Sequence, residues 1–381
     1  MWILDRHIAA RFLANFVLLF AILFIFAVAI DVILQLDDYT EAARTHALRA
    51  TPALTEPETW RYWLAMVEGI VDFHGPRIAQ FYAYLLGLVS VGAAGFTLAQ
   101  MVRTRELVAI LSSGTSLVRV GMIIVVVATG LNLLQLVNQE LVLPRLAPLL
   151  VRPHSAILKG GLREFPVHLT RDGRGQLLWG RSLDPLSGHL TGFLLIERDG
   201  NGAAIARTEA IAATWNSHSA RWDLEGGTRT TARVVSPDGE EITRGETTPA
   251  DFALTDLSAR ALTIRQYEQF AQMLSLKQLR EMREEGGVPA GEISRLTYLR
   301  LGSILVNLLV LIAALPFFLL REPANLLRQA IFCALFAVPG TLGSLVAMTA
   351  TLPGLPPAVN VFLPAAILLP IAFGRFGTMR T

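Results

Sequence analysis

The side chains best suited to chemistry are one cysteine, seven histidines and a set of carboxylates spread along 381 residues. Cys333 lies inside an apolar run, so it can form neither an intrachain disulfide nor a thiolate metal cluster. His154, His168, His189 and His218 are scattered without the spacing of a zinc site. The sequence also contains no glycine-rich phosphate loop, no HExxH motif and no GxSxG motif. These residues therefore predict neither a catalytic site nor a metal site.

A polar stretch, RTRELVAILSSGTSLVRVG at positions 103–121, separates two long apolar runs. Thr104 is suited to begin a short helix as its N-cap, and Glu106 would lie in the first turn, where a carboxylate complements the helix dipole. Gly114 is suited to end this helix, and Ser116 to cap the apolar run that follows. A short helix with a charge and an apolar stripe fits a groove on another protein. The stripe consists of Leu107, Ile110 and Leu111.

The composition is typical of a membrane protein. Hydrophobic residues make up 52% of the chain and charged residues 17%, with a mean hydropathy of +0.47. This balance is too apolar for a set of soluble domains. The net charge of +2 argues against nucleic-acid binding, which requires a concentrated basic face.

Six apolar runs are long enough to cross a bilayer, which takes about 20 residues in a helix. Three runs precede a large polar insert and three follow it. No small-residue cleavage site follows the first run, so we interpret it as a retained anchor and not as a signal peptide. The runs cover residues 12–34, 78–101, 120–137, 301–320, 329–352 and 358–373.

Short cytoplasmic loops of membrane proteins are rich in lysine and arginine. If the six spans alternate, the arginines of the short loops all fall on the side of the two termini, which predicts cytoplasmic termini. The loop at 37–76 and the insert at 143–295 then lie on the opposite side. These arginines are Arg6, Arg11, Arg103, Arg105, Arg119, Arg321, Arg328, Arg375 and Arg380.

The insert has the pattern of a β domain. Asp-Gly turns at 172–173, 199–200 and 238–239 separate short runs such as GFLLIE, whose apolar residues often alternate. The stretch LSLKQLREMREEGG at 274–287 predicts a short amphipathic helix that leads back to the membrane.

The first outer loop contains EPETWRYWLAMVEGIVDF at 56–73, which predicts a helix with apolar residues on one face. This helix either lies in the membrane interface, anchored by its tryptophans, or packs on the bundle as an ordinary helix. Asp31 precedes it near the outer end of the first run, where a carboxylate requires a partner or water and is a candidate functional residue. The apolar residues of the loop helix are Trp60, Trp63, Leu64, Val67 and Ile70.

Three stretches resemble the permease family of the lipopolysaccharide exporter, the LptF/LptG type. LDRHIAARFLANF at 4–16 resembles its opening cytoplasmic segment, and residues 103–121 resemble its stretch of Glu-Leu, small residues and Gly-x-Ser. LSLKQLREM, RLTYLRLGSILVNLLVLIAALPFFLL and GLPPAVNVFLPAAILL resemble its return from the periplasm and its last helices. The order and spacing of these stretches around the insert carry the resemblance, since no single motif is unique.

The resemblance implies an α-helical membrane protein with six transmembrane helices, three plus three, and an inserted periplasmic β-jellyroll-like domain. The implied domains are residues 1–142, with a cytoplasmic coupling helix at 103–114, then 143–295 and 296–381. Such a chain is a permease subunit in the inner membrane, not an enzyme. It would extract lipopolysaccharide from the outer leaflet and pass it to a periplasmic jellyroll bridge protein.

The resemblance also implies the partners. A second related permease would complete a heterodimer, and ATP and Mg²⁺ would bind to a cytoplasmic ATPase dimer and not to this chain. Glu106 would meet a cation of the ATPase, although the role of an ordinary helix-start residue stays equally open for it. Glu68 and Glu140, on the outer side, are expected to tolerate replacement. The implied ATPase-coupling residues are Arg105, Glu106, Leu107, Ile110, Leu111 and Gly114.

The lipid route implied by the resemblance needs cations at headgroup height and apolar walls. Arginines near the outer ends of helices two, three and four would form a collar around lipid phosphates, or would only snorkel to ordinary anionic lipids. Trp179, Trp215 and Trp222 of the β domain are either liners of an apolar interior or core residues. The collar residues are Arg77, Arg145, Arg152, Arg295 and Arg300.

The chain departs from the family in two places. Some members carry a basic residue near the outer end of the first helix, where this chain has Asp31, Asp37 and Asp38, and the first outer loop is longer than the resemblance implies. Three other functions remain open: a lipid transporter without ATP, a membrane-anchored periplasmic binding module, and an enzyme acting on lipids through Glu164 or Asp184. Only the exporter requires a stoichiometric ATPase.

Overall fold

The computed structural model describes residues 2–50, 58–158, 164–185, 187–200, 202–232, 234–235, 241–243, 245–266, 272–285, 290–319, 325–350 and 354–377. The chain divides into two compact units. One comprises Met1–Pro144 and Ser294–Thr381, and the other comprises Arg145–Ile293. The first unit contains the long apolar helices and the second contains the β-sheet.

Six helices among the described residues are long and apolar enough to cross a membrane, which confirms the predicted helical class. Two predicted span ends, Leu320 and Leu352, and the basic residues Arg321 and Arg380 lie outside the described residues. In chain order the helices are α1 (Trp2–Leu34), α2 (Leu36–Ala50), α3 (Thr59–His74), α4 (Arg77–Arg103), α5 (Glu106–Ser112), α6 (Leu117–Val137), α7 (Leu143–Leu150), α8 (Ala259–Gln266), α9 (Leu276–Glu285), α10 (Ala290–Ala314), α11 (Leu326–Thr349) and α12 (Pro357–Gly377).

Three spans begin much earlier or end much later than the apolar runs predict, and the first of them begins at Ile3 and not at residue 12. The third continues from α6 through a π-helical turn at Asn138–Val142 into α7. Asn138 does not end this helix because its side-chain amide donates to the Ala79 carbonyl oxygen of α4 at 2.8 Å. The fourth span begins at Gly291, so Arg295 and Arg300 lie inside its helix and not before it.

The core of the helical unit contains a polar contact among three helices. Asn307 on α10 donates through Nδ2 to Oδ1 of Asn132 on α6, at 3.4 Å. Asn132 is fully buried and donates in turn to the Ala128 carbonyl oxygen at 2.9 Å. Gly87 on α4 makes room for this contact, because a Cβ at that position would overlap the Asn307 amide oxygen. A glycine thus brings α4 close to α10 at the level of a buried asparagine pair.

We expect Gly87→Ala to destabilise the helical unit by about 1–3 kcal/mol, because overpacking displaces a buried side chain and breaks the Asn307–Asn132 hydrogen bond. Gly130→Ala on α6 is the matched control, since an added Cβ there meets nothing within 4 Å. Thermal unfolding of the two variants in detergent measures the difference. Equal midpoints would contradict the close approach at Gly87.

The second unit is an antiparallel sheet, which confirms the predicted β domain. Its main path follows β1-β2-β3-β4-β5-β10, β6 pairs with β4 and β9, and β7 and β8 form a separate two-stranded ribbon. The strands are β1 (Phe165–Arg171), β2 (Leu177–Asp184), β3 (His189–Arg198), β4 (Ala204–Asn216), β5 (Arg221–Glu225), β6 (Thr228–Thr231), β7 (Val234–Val235), β8 (Glu241–Thr243), β9 (Thr247–Pro249) and β10 (Phe252–Ala253).

The long strand β4 joins two parts of this sheet. Its first half pairs with β6 and its second half with β5, so β5 and β6 follow one another along the same edge of β4. Gly226, at φ +65°, and Gly227 separate them. Only glycine fits at Gly227, because an added Cβ would overlap the Ala250 carbonyl oxygen. This break lets the two strands turn toward different partners, β10 and β9.

The predicted turns of the β domain begin with aspartates that cap their own loops. Asp172 accepts the backbone N–H groups of Arg174 and Gln176 at 2.9 and 2.8 Å, between β1 and β2. Asp199 accepts the backbone N–H of Ala203 at 2.7 Å, between β3 and β4. Both turns are confirmed. The third, at Asp238 and Gly239, lies outside the described residues.

The predicted return helix is α9, and Ser275 caps it. Ser275 Oγ accepts the backbone N–H of Gln278 at 3.2 Å, while Gln278 Oε1 accepts the backbone N–H of Ser275 at 2.9 Å. This reciprocal pair is a capping box, in which two otherwise unpaired amides are satisfied. The local sequence therefore sets the start of this helix.

Trp222 is a core residue of the sheet and not the liner of an apolar interior. It is fully buried, and its indole nitrogen donates to the Leu257 carbonyl oxygen at 2.9 Å. Trp215 packs edge-on against it, with ring centroids 5.5 Å apart. Trp179 is only partly buried, next to the buried Leu178 on β2. The ordinary core role therefore holds for Trp222, because a buried indole that bonds to the backbone is fixed in place.

Candidate functional site

The polar stretch between α4 and α6 folds as the short helix α5. Thr104 does not cap it, contrary to the prediction: Thr104 is the C-cap residue of α4, and its hydroxyl donates back to the Gln100 carbonyl oxygen of that helix. Arg105 occupies the N-cap position instead, with φ 60° in the left-handed region. The helix then runs from Glu106 to Ser112. A tight left-handed turn thus sets the direction of α5 relative to α4.

Gly114 ends α5 as predicted. Its φ is +79°. The N–H of Gly114 donates to the Leu111 carbonyl oxygen, and the N–H of Thr115 donates to the Ile110 carbonyl oxygen. This pair of bonds is a Schellman motif, which favours glycine in the left-handed position. Ser116 then caps α6 by accepting the backbone N–H of Arg119, so the predicted second cap is also confirmed.

Glu106 is paired within the chain. Arg11 on α1 donates from Nη1 to Glu106 Oε2 at 2.7 Å, and His7 Nε2 lies 3.7 Å from the same oxygen. The Thr104 hydroxyl lies 3.0 Å from the other oxygen, so its one hydrogen is shared between Glu106 and the Gln100 carbonyl. The Glu106 side chain retains 33% of its exposure. Glu106 therefore connects α5 to α1 through contacts within the chain itself.

A second ion pair ties α1 to the start of α6. Arg119 donates from Nη2 to Asp5 Oδ2 at 2.8 Å and from Nε to Asp5 Oδ1 at 3.4 Å, which is a bidentate geometry. We call the two ion pairs, Arg11–Glu106 and Asp5–Arg119, the α1 clamp. The clamp holds both ends of the α5 segment to one helix. Sequence reasoning missed it because its partners are 95 and 114 residues apart.

The α1 clamp gives Glu106 a measurable pH dependence. Burial raises the pKa of Glu106, but the hydrogen bonds from Arg11 and Thr104 outweigh burial, so the pKa lies below its ordinary value of 4.5. A lowered carboxyl pKa stabilises the folded state above the ordinary value, and this contribution is lost as the pH falls through the folded pKa. We expect stability in detergent to fall below pH 4.5 less steeply in Glu106→Gln than in the unmodified chain. Parallel stability curves would contradict the pairing.

The predicted apolar stripe of α5 faces the bundle and not the outside. Leu107 and Ile110 are 3% and 8% exposed and belong to the core of the helical unit. The exposed face of α5 instead carries Val108, at 64% exposure, and Ala109. The stripe is covered because α5 packs on α4. An outside partner would therefore contact the Val108 face.

Asp31 at the end of α1 belongs to a compact polar cluster. The Tyr39 hydroxyl donates to Asp31 Oδ2 at 3.1 Å, and His74 Nε2 lies 3.2 Å from the same oxygen. Tyr39 Oη and His74 Nε2 are 2.9 Å apart. Burial, followed by the nearby Asp31 charge, raises the pKa of Tyr39 well above its usual range. Asp31 thus has partners in α2 and α3 that hold these helices to the end of α1.

Arg300 is paired with Glu140 inside the helical unit. Its Nη1 donates to Glu140 Oε1, and its side chain is only 8% exposed. Glu140 lies in the π-helical turn after α6, a kind of distortion that is frequent at functional sites. Arg300 therefore does not project as a headgroup ligand. The expectation that Glu140 tolerates replacement is also not supported, because its replacement would remove the carboxylate that pairs with a buried guanidinium.

The other four arginines of the predicted collar are in different settings. Arg77 lies over the Phe73 ring, with its guanidinium carbon 3.4 Å from the centroid. Arg295 donates to the Thr349 carbonyl oxygen of α11. Arg145 and Arg152 belong to the second unit, where Arg145 is exposed and Arg152 is buried and donates to the Leu149 carbonyl oxygen at 3.2 Å. Within the helical unit, Arg77, Arg295 and Arg300 therefore have three different sets of contacts.

Within the part of the chain that the structure describes, no group of three or more histidine, cysteine, aspartate or glutamate side chains could hold a metal ion. Glu164 accepts a hydrogen bond from Ser182, and Asp184 from Ser187. These short contacts are typical of strand and turn residues at a surface.

One comparison with known proteins supports this architecture, and no curated protein sequence matches the chain. The family model described as lipopolysaccharide export system permease LptF/LptG matches residues 67–377. This range includes α4 to α12 and the whole sheet. The chain therefore belongs to the LptF/LptG family of lipopolysaccharide export permeases and is a multi-pass protein of the inner membrane.

Proposed function

We propose that this chain is one permease subunit of an ATP-driven exporter of lipopolysaccharide. It works with a second related permease and with a cytoplasmic ATPase dimer that binds ATP and Mg²⁺, while this chain itself binds no cofactor. The pair extracts lipopolysaccharide from the outer leaflet and passes it to a periplasmic jellyroll bridge protein. The match to the permease family over residues 67–377 supports this function, as do six candidate spans around an inserted sheet.

The proposed orientation places both termini and α5 in the cytoplasm and the β unit in the periplasm. The arginines of the short loops support it, because positive charge is retained on the cytoplasmic side. A reporter inserted at Gly226, between β5 and β6, is expected to give a periplasmic signal. A cytoplasmic signal would overturn the orientation.

The α1 clamp is the observation that best supports a coupling role for α5. A force applied to α5 reaches α4 and α6 through the chain, and it reaches α1 through Arg11–Glu106 and Asp5–Arg119. Three spans can then move with a helix of only seven residues. Buried Leu107 and Ile110 make α5 part of the bundle and not a flexible loop. The coupling segment is therefore rigidly mounted, as transmission of a power stroke requires.

The contact with the ATPase is formed by the exposed face of α5. Val108 and Ala109 provide its apolar part, and Arg103 and Arg105, both exposed, flank it with positive charge. Such a short, mixed surface fits a groove on a partner. Glu106 positions this surface through the α1 clamp, and Gly114 allows the turn into α6.

For the lipid, Arg77 and Arg295 are the collar residues that remain near helix ends in the helical unit. Arg300 stabilises the bundle through Glu140 and is not assigned to headgroup binding. Replacing Arg77 and Arg295 with Glu is expected to weaken crosslinking of lipopolysaccharide without loss of the ATPase. Unchanged crosslinking would favour simple snorkelling to anionic lipids.

Co-purification tests the exporter directly. The solubilised pair of permeases should retain the ATPase, and Val108→Asp should lower its association about tenfold, or 1.4 kcal/mol, because a charge replaces an apolar contact. The matched control is Ile211→Asp on β4, a similarly exposed aliphatic residue at 79%. It should leave ATPase association unchanged. Absence of any stoichiometric ATPase would favour a transporter without ATP or a membrane-anchored binding module.

A further inference from the structure

The segment between α1 and α4 is a helical hairpin with one polar and one apolar outer face. Its helices α2 and α3 pack together through small and aromatic residues, with Ala43 and Ala47 buried on α2 and Ala65 and Gly69 buried on α3. The outer face of α2 is polar. Its exposed polar residues are Asp37, Glu41, Arg44, Thr45 and Arg49.

The outer face of α3 is apolar along its full length. The positions 60, 63, 64, 67 and 71 fall on one side of a helix, opposite the buried residues that face α2. Each is more than half exposed, between 54% and 63%. We call this surface the α3 face: it consists of Trp60, Trp63, Leu64, Val67 and Val71.

The hairpin is fixed next to two membrane spans. Only Gln35 separates α2 from α1, and only Gly75 and Pro76 separate α3 from α4. His74, the last residue of α3, also contacts Asp31 of α1 at 3.2 Å. The end of α3 therefore stays at the level where α1 leaves the apolar layer and α4 enters it. A helix of 16 residues extends about 24 Å from that point.

We propose that α3 lies in the lipid interface, with the α3 face inserted at the boundary between headgroups and acyl chains. Tryptophan is enriched at this boundary because the indole is apolar with one polar edge. The indole N–H of Trp60 donates to the exposed Glu58 carboxylate at 2.8 Å, which suits a ring at the headgroup boundary, where its polar edge remains among charged groups. The charged residues of α2 remain on the aqueous side. Under the orientation proposed above, the leaflet is the periplasmic one.

A lipid occupant fits better than a protein partner for two reasons. The five residues of the α3 face are all aliphatic or indole, whereas protein interfaces combine an apolar centre with a polar rim. The charged residues beside the face have contacts of their own: Glu58 pairs with Arg61 at 3.0 Å, and Glu68 lies 3.8 Å from His46. The end of α1 is also apolar and exposed, since Ile33 and Leu34 are 72% and 74% exposed. A surface of this kind that begins at a membrane span is continuous with the lipid-facing surface of that span. The hairpin would thereby brace the outer end of α1 against the leaflet that holds the lipid substrate.

Spin labelling of the full chain tests this inference. Cys333 is the only cysteine, so Cys333→Ser provides a background in which Val67→Cys or Thr45→Cys carries a single nitroxide. The chain is reconstituted in phosphatidylcholine vesicles, alone and with the second permease. The accessibility of the nitroxide is measured for two reagents: oxygen, which partitions into lipid, and a water-soluble nickel chelate. At position 67 we expect accessibility to oxygen to exceed accessibility to nickel several-fold in both samples, and the opposite at position 45.

Two outcomes would overturn the inference. Nickel accessibility at position 67 equal to that at position 45 would place the α3 face in water. Loss of access to both reagents only when the second permease is present would make the face a protein interface. Quenching of tryptophan fluorescence by brominated acyl chains gives an independent measurement. The extent of quenching should decrease in the double variant, Trp60→Phe with Trp63→Phe. These readouts need neither the ATPase nor transport, so they fail or succeed independently of the exporter function.

Discussion

Replacement of Arg300 by methionine is expected to destabilise the helical unit by about 3–5 kcal/mol, because it leaves the Glu140 carboxylate without its partner in a poorly solvated place. The Arg300 side chain is 8% exposed and the Glu140 side chain 30%. Removal of both charges, in Arg300→Met with Glu140→Gln, is expected to recover most of this loss. The stabilities of the unmodified chain, the single variant and the double variant are measured as unfolding midpoints in mixed detergent micelles.

Arg295→Met is the matched control for this experiment. Arg295 lies on the same helix, α10, but donates to the Thr349 backbone carbonyl oxygen and not to a carboxylate. Its replacement should cost about 1 kcal/mol, as for one ordinary hydrogen bond. If Arg300→Met were no worse than Arg295→Met, Arg300 would be available for lipid headgroups and its assignment to the collar would return. If the double variant were as unstable as the single one, the ion pair would not be the cause.

Glu106→Lys is expected to lower lipopolysaccharide release from proteoliposomes about tenfold, since it places a second cation beside Arg11 and opens the α1 clamp. Tenfold corresponds to about 1.4 kcal/mol, a coupling energy usual for allosteric sites. The charge swap, Glu106→Arg with Arg11→Glu, should restore most of the release because it rebuilds the same ion pair with reversed polarity. The release assay is accompanied by co-purification of the ATPase.

The swap separates two roles of Glu106. If Glu106 acts through Arg11, the swap restores release; if it acts on a cation of the ATPase, the swap fails because the new arginine repels that cation. Glu68→Lys on α3 is the control, since the Glu68 side chain is 49% exposed and its carboxylate lies 3.8 Å from His46, with no arginine or lysine pair of the Glu106 kind among the described residues. This control should leave release unchanged. Normal release in Glu106→Lys itself would contradict both roles.

Much of the architecture could be predicted because it depends on local pattern. Apolar runs set the six spans, since a bilayer rejects unpaired polar groups over the length of a helix. Asp172 and Asp199 set two hairpin turns, Ser275 sets the start of α9, and Gly114 sets the end of α5. Each of these signals acts within a few residues. They are therefore visible in the sequence without knowledge of the partners.

The errors have a common physical origin. The third span continues past residue 137 because Asn138 donates to a backbone carbonyl oxygen on α4 and Glu140 accepts from a guanidinium on α10. Polar residues that end a helix in isolation can lie inside one when a neighbouring helix satisfies them. Thr104 likewise appears as an N-cap in the sequence, but it bonds to the preceding helix.

The sequence by itself determined the class of the protein, six apolar spans around a β insert, and the position of the polar break between α4 and α6. Hydropathy and turn chemistry suffice for these because both are properties of short segments. Only the tertiary structure decided that Leu107 faces the bundle, that Glu106 meets Arg11, and that Arg300 meets Glu140. In a membrane chain both faces of a helix can be apolar, so periodicity does not show which face is covered. The partner of a charge 95 or 160 residues away is selected by packing, because the low dielectric of the bundle makes an unpaired charge costly.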